Sequence, residues 1–256
     1  MNTEAADNLP RTDGAAPRKL AARIEPFDSY WQAPKDVTKG YASFYHYYKA
    51  NFLPYIGPRQ DAAVLVVSCG PGYLVNLLRE QGYRHVKGID SDPAKIELAK
   101  QRQLNCETAE AFPYFAKLNA DYDVIVCEQE LNHLTLEEML TFLGLCHKAL
   151  KPGGTLLVYG LNGANPLVGS ENLAHNIDHF NTFTEYSLRQ VLELTGFEQI
   201  KLLPLKLYVF WKNPANYVGL IATSLLQVFF RACYILYGKD ARILTKKIAA
   251  VCRKPA

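Results

Sequence analysis

A few residues could carry chemistry, and their spacing says which kind. In VLVVSCGPGYLVNLL, residues 64–78, an apolar run meets the turn Ser68-Cys69-Gly70-Pro71-Gly72 and passes into a run of helical period. Gly70 and Gly72 let the backbone approach a ligand with no Cβ in the way. HVKGIDSDP then ends a second apolar run on Asp90 and Ser91. A carboxylate about twenty residues past such a turn accepts the hydroxyls of a ribose. The six histidines divide by setting. His46, His85 and His147 fall in helical or strand-edge runs and need no special role. His133 follows the apolar run YDVIVCEQ, and His175 and His179 lie in ENLAHNIDHFNTFT after another. Imidazole titrates near neutrality and is the usual base where a hydroxyl must lose a proton. His133 and His179 are therefore the candidate bases.

Other chemistries are excluded. A dinucleotide site wants Gly or Ala at position 75, where this chain has Val75. There is no serine nucleophile elbow, Walker loop or HExxH pair. A net charge of +3 with no dense basic run argues against nucleic acid. Six cysteines without a CxxC pair read as reduced core thiols, not as metal ligands or disulfides, which points to the cytoplasm.

The elements that must position these residues alternate. Residues 1–22 read as a disordered leader and 23–58 as an N-terminal helical segment. There Tyr41, Phe44, Tyr45 and Tyr48 share a helical stripe, as a core face or as a lid. Residues 59–212 run strand–helix–strand, with Pro93 in a first helical turn, Thr135 and Glu138 as a capping box, and Thr184 and Gly196 bounding another helix. Such alternation gives a mainly parallel sheet covered on both faces. Residues 213–239 are a broken apolar helix whose Thr223, Gln227 and Arg231 form one narrow polar stripe. Membrane surface, dimer interface and cap on the domain's own core all suit it. A final strand and basic tail fill residues 240–256.

The ordered stretches VLVVSCGPG, GIDSDP, YDVIVCEQELNHL and LKPGGTLLV resemble those of class I S-adenosylmethionine-dependent methyltransferases over roughly residues 60–200. The resemblance implies a Rossmann-like, seven-stranded, mainly parallel α/β sheet and S-adenosylmethionine as cofactor. It implies a cofactor site of Ser68, Gly70, Gly72, Asp90, Ser91, Thr108, Ala109 and Glu128. The family usually carries an acidic residue where Val66 stands, Gly at Ser68 and often Asp at Thr108. At ~0.5–1.5 kcal/mol per lost hydrogen bond, these departures weaken the cofactor about tenfold without abolishing binding. The family often has Glu where Asn132 stands, which argues against metal assistance.

The flanking patterns, YWQAPKDVTKGYASFYHYYKANFLPYI among them, are similar to those of bacterial surface-polysaccharide methyltransferases. That likeness implies O-methylation of a sugar hydroxyl in a glycan or lipid-linked precursor. Tyr30, Trp31, Tyr41, Tyr45, Asn132 and Asn181 would face the acceptor. Residues 217–237 would make a peripheral contact at the inner membrane face. Alternatives are a lipid headgroup, a quinone precursor or another small acceptor, and a catalytically inactive binding protein on the same fold.

Overall fold

A computed structural model describes residues 37–128, 130–177, 179–207 and 214–256. The expected leader at 1–22 and the aromatics Tyr30 and Trp31 lie outside the described residues.

The chain opens with α1 (Val37–Asn51) and the short α2 (Leu53–Ile56). Alternation then begins: β1 (Ala63–Val67), α3 (Tyr73–Glu80), β2 (His85–Asp90), α4 (Pro93–Gln101), β3 (Cys106–Thr108) and α5 (Ala111–Ala116). It continues through β4 (Tyr122–Cys127), a 3-10 turn (Glu130–His133), α6 (Leu136–Ala149), β5 (Leu150–Leu161), α7 (Gly169–Ala174), α8 (Glu185–Leu194) and β6 (Glu198–Pro204). The chain ends with α9 (Pro214–Leu236) and β7 (Lys247–Arg253).

Local chemistry accounts for these boundaries. The Asp92 carboxylate accepts the Ala94 N–H to cap α4, with Pro93 at the first position, where its missing N–H costs nothing. Thr135 and Glu138 close a reciprocal capping box on α6. Thr184 caps α8 with Ser187.

The seven strands form one sheet in the order β3-β2-β1-β4-β5-β7-β6. β1 to β5 are parallel, while β7 is antiparallel to both β5 and β6. Strand order reverses between β1 and β4, so a crevice opens past their carboxyl ends. The central strands β1 and β4 are buried on both faces. One apolar layer joins Val64, Val66, Val126 and Tyr159 to Tyr48, Phe52, Leu74 and Ile96. The other joins Leu65, Ile125 and Val158 to Phe142, Leu143 and Leu188. Five of the six cysteines are buried thiols, Cys233 is half-buried, and none is in a disulfide.

α9 departs from this order. Not one of its residues is buried. Its half-buried positions, Asn216, Gly219, Thr223, Gln227, Phe230, Cys233 and Tyr234, recur at helical spacing, and the Tyr234 hydroxyl donates to the Ala164 carbonyl at 2.7 Å. Thr223 and Gln227 of the expected polar stripe thus lie on the sheltered side, while Val218, Ile221, Leu225, Val228 and Phe229 stand outward, each more than 60% exposed. A helix capping its own core buries its apolar face, so the core-cap reading is corrected: this helix shows that face to solvent. α9 falls in sequence between β6 and β7, which pair antiparallel with Pro204 beside Ile248.

Candidate active site

The carboxyl ends of β1, β2, β4 and β5 supply the chemistry-bearing residues. After β1 the chain turns through Ser68, Gly70 and Gly72, all left-handed (φ +55°, +54° and +82°). A Cβ on Gly70 would meet nothing within 4 Å, so glycine serves the backbone angle there and leaves space beside the turn. On Gly72 a Cβ would come within 2.8 Å of Leu104 Cδ1. Ser68 holds a conformation that glycine adopts without strain, at a position where the resemblance expects glycine.

Asp90 ends β2 and knits this turn to it. One carboxylate oxygen accepts the Gly70 N–H at 2.8 Å, and the other accepts the Asp92 N–H at 2.8 Å. The side chain is buried, yet each oxygen keeps a further lone pair for a hydroxyl. Thr108 pairs with Asp90 across β2 and β3, and the Ala109 N–H donates to the Asp90 carbonyl at 3.0 Å. Ser91, exposed, completes this side of the crevice.

Glu128 lies just past β4, across the reversal point from Asp90. One oxygen accepts the Tyr48 hydroxyl at 2.5 Å and the Tyr159 hydroxyl at 3.4 Å. The other oxygen is buried without a hydrogen-bond partner. Burial pushes the Glu128 carboxyl up to about 7, against the opposing pull of the two tyrosine hydroxyls and the Lys247 charge. Tyr48 comes from α1, as does Tyr41, whose hydroxyl donates to the Pro71 carbonyl at 2.6 Å. One helix therefore grips both sides of the reversal point. The Arg102 guanidinium sits 3.8 Å over the Tyr41 ring.

The loops after β4 and β5 bring the two expected bases together: the rings of His133 and His179 lie edge to face, 4.9 Å between centroids. The tie is Asn132. Its carboxamide oxygen accepts the Leu161 N–H at 3.1 Å and its amide donates to the Asn181 carbonyl at 2.7 Å. Its own carbonyl accepts the Phe180 N–H at 2.9 Å. His179 Nδ1 lies 2.7 Å from the Asn172 carbonyl, which can only accept, so Nδ1 carries the proton and Nε2 keeps its lone pair. His175 instead points Nδ1 at Glu171 of its own helix, exposed.

Four expectations for the acceptor side change. Asn132 is fully buried and engaged with backbone, so it ties the two histidine loops together and does not face an acceptor. Asn181 likewise donates its amide to the Leu134 carbonyl. Tyr41 is buried as a brace of the glycine turn. Tyr45 accepts from Gln81 at the far end of α3, roughly 12 Å of helix from the turn, so it is no acceptor platform. Sequence reasoning missed Tyr159 and the Asn172 carbonyl altogether. It had placed Tyr48 in the aromatic stripe without a partner. Among the described residues, no cluster of three or more His, Cys, Asp or Glu could hold a metal ion.

Comparison with known proteins bears on the family and the fold. The methyltransferase-domain family profile matches residues 41–202, more than half of the chain. The chain is 26% identical over 201 residues to the ubiquinone biosynthesis O-methyltransferase of Xanthomonas campestris pv. campestris, covering 72% of this chain and 81% of that protein. It superposes on an S-adenosylmethionine-dependent methyltransferase from Archaeoglobus fulgidus with a TM-score of 0.63, at 19% identity over 84% of this chain and 94% of the other. A phosphoethanolamine N-methyltransferase from Haemonchus contortus, in complex with phosphomonomethylethanolamine and S-adenosylhomocysteine, gives 0.57 at 15% identity, covering 85% of this chain and 57% of the other.

Proposed function

The chain belongs to the methyltransferase-domain family and is an S-adenosylmethionine-dependent methyltransferase, and we propose that its acceptor is a hydroxyl on a molecule held at a membrane surface. The observation that carries the acceptor reading is the outward apolar face of α9, with Thr223 and Gln227 on its sheltered side. Its cover is a lipid surface. The helix is long and apolar enough to cross a bilayer, but the strands on either side of it in sequence, β6 and β7, pair with each other in one sheet. A crossing helix would need a second non-helical crossing to return to that sheet, with backbone groups unsatisfied in hydrocarbon. The helix therefore lies in the interface. Its carboxyl end docks on Ala164, just past β5, at the end of the sheet where the histidines open. Leu167, Leu173, Ile177 and Phe180, between β5 and α8, are also exposed. Lys239, Arg242 and Lys246 follow the helix and favour an anionic leaflet.

The residues present fit the cofactor: space beside Gly70, a carboxylate at Asp90 with lone pairs to spare, and an orphaned oxygen at Glu128. Gly70, Gly72, Asp90, Thr108 and Ala109 would hold its nucleoside half. The bound cofactor supplies an activated methyl on a sulfonium. The chain's part is to align the acceptor and take its proton. His179 does the latter through Nε2, with Nδ1 locked on Asn172 and His133 edge-on beside it. Free thiols suit the reducing side of the membrane.

Two acceptors fit a hydroxyl at a membrane surface. A quinone precursor is favoured by the name of the Xanthomonas relative, and a lipid-linked sugar by the flanking sequence patterns. The experiment is transfer of labelled methyl from S-adenosylmethionine into membrane lipid extract. Alkali-stable label in an apolar, ultraviolet-absorbing product indicates the quinone precursor. Label released with a mild-acid-labile sugar indicates the glycan. Label confined to water-soluble material contradicts a membrane-held acceptor.

A further inference from the structure

A buried carboxylate oxygen without a partner is costly, and here it sits at the reversal point of the sheet. The neighbouring strands run β2, β1, β4, each about 4.8 Å from the next. A ligand whose ribose lies at Asp90 on β2 and which crosses the glycine turn after β1 ends over β4, at Glu128. Val66 pairs with Val126, so Glu128, two residues beyond Val126, belongs to the same face of the sheet as Val66. That face carries no acid on β1. Tyr48 and Tyr159 occupy one oxygen and leave the other without a hydrogen-bond partner. A cation completes such a half-filled set: a carboxylate accepts only, and the groups it meets must donate. We propose that Glu128 is the counter-charge for the α-ammonium of the cofactor's methionine half, a carboxylate supplied from β4 on a face where β1 offers only valine. This rests on the cofactor assignment and not on the acceptor reading.

The charged and titratable groups facing Glu128 are Tyr48 from α1, Tyr159 from β5, Lys247 from β7, and Asp90 and Cys69 from the β2 and β1 ends. Burial holds the Tyr48 hydroxyl above its ordinary value, and the Cys106 contact and burial do the same for the Cys69 thiol, so both stay protonated near neutral pH. The Glu128 carboxyl, pushed up to about 7 by burial, changes charge in that range.

The test compares two ligands by calorimetric titration of the full-length protein. S-adenosylhomocysteine carries the ammonium. 5′-Methylthioadenosine shares the nucleoside and thioether but lacks the amino acid. Glu128→Gln should weaken S-adenosylhomocysteine about tenfold or more and leave methylthioadenosine within twofold. Equal losses for both ligands, or no loss for either, would overturn the proposal. The wild-type protein gives a second reading that needs no variant. Between pH 7.5 and pH 5.5 the carboxyl takes up its proton, so S-adenosylhomocysteine should weaken about tenfold relative to methylthioadenosine. A ratio that does not move with pH contradicts the assignment even if Glu128→Gln fails to fold.

Discussion

Asp90 braces the glycine turn before any ligand arrives, and that has a measurable consequence. Its two oxygens accept the Gly70 and Asp92 amides, both at 2.8 Å, and the side chain is 8% exposed. Hydrogen bonds to a charged acceptor contribute about 1.5–3 kcal/mol each. Asp90→Ala removes both and leaves two amides to poorly placed water, so a loss of about 3 kcal/mol is expected. For a domain of this size each kcal/mol moves the melting midpoint by roughly 2–4 °C. The ligand-free variant should therefore melt roughly 6–12 °C below wild type in circular dichroism. Asp90→Asn keeps one acceptor oxygen and should fall about halfway. The same melts with S-adenosylhomocysteine give the ligand's share. At a hundred times its dissociation constant it should stabilise wild type by about 2.7 kcal/mol and Asp90→Ala by far less. If ligand-free Asp90→Ala melts within 1–2 °C of wild type, the two bonds do not support the turn and the reasoning fails.

Other expectations follow from the same geometry. His179→Ala should lower kcat about 10²- to 10⁴-fold in single-turnover assays while S-adenosylhomocysteine affinity stays within about threefold, and loss of affinity instead would remove it as the base. Asn132→Ala should separate the two imidazoles and cost about 1–3 kcal/mol in chemical denaturation, because the Leu161 amide is left buried and unpaired. The Glu128 carboxyl is raised in the folded protein, so its contribution to stability is greatest below about pH 4.5 and is lost as the pH rises through about 7. Glu128→Gln should accordingly flatten ligand-free stability between pH 5 and pH 8 and raise it at pH 8 by up to about 3 kcal/mol, and an unchanged pH profile would contradict the burial of that charge.

What was legible in the sequence was what neighbours along the chain decide. The glycine turn, the capping box at Thr135, the helix cap at Thr184, and Asp90 at its spacing are all local signals, and each sits in the structure where its spacing places it. Residues that depend on what packs against them were not legible. The period of α1 showed that Tyr41, Tyr45 and Tyr48 share a stripe, but not that Tyr41 would meet the Pro71 carbonyl, Tyr45 the far end of α3, and Tyr48 a buried carboxylate. Asn132 stands beside a candidate base in sequence, yet its carboxamide turns to backbone, because the crossing of two loops needs both a donor and an acceptor there. For α9 the composition showed a polar stripe, and only the folded chain shows Thr223 and Gln227 of that stripe turned inward while Arg231 stays exposed.

The most direct test of the account is the rate of methyl transfer to membrane lipid extract presented in anionic vesicles, wild type against the double variant Leu226→Asp and Phe229→Asp on the outward face of α9. The account predicts that the variant binds S-adenosylhomocysteine as wild type does, no longer sediments with vesicles, and loses most of its transfer to vesicle-held acceptor. Equal transfer by both proteins would contradict it, as would a wild-type enzyme that never binds the vesicles.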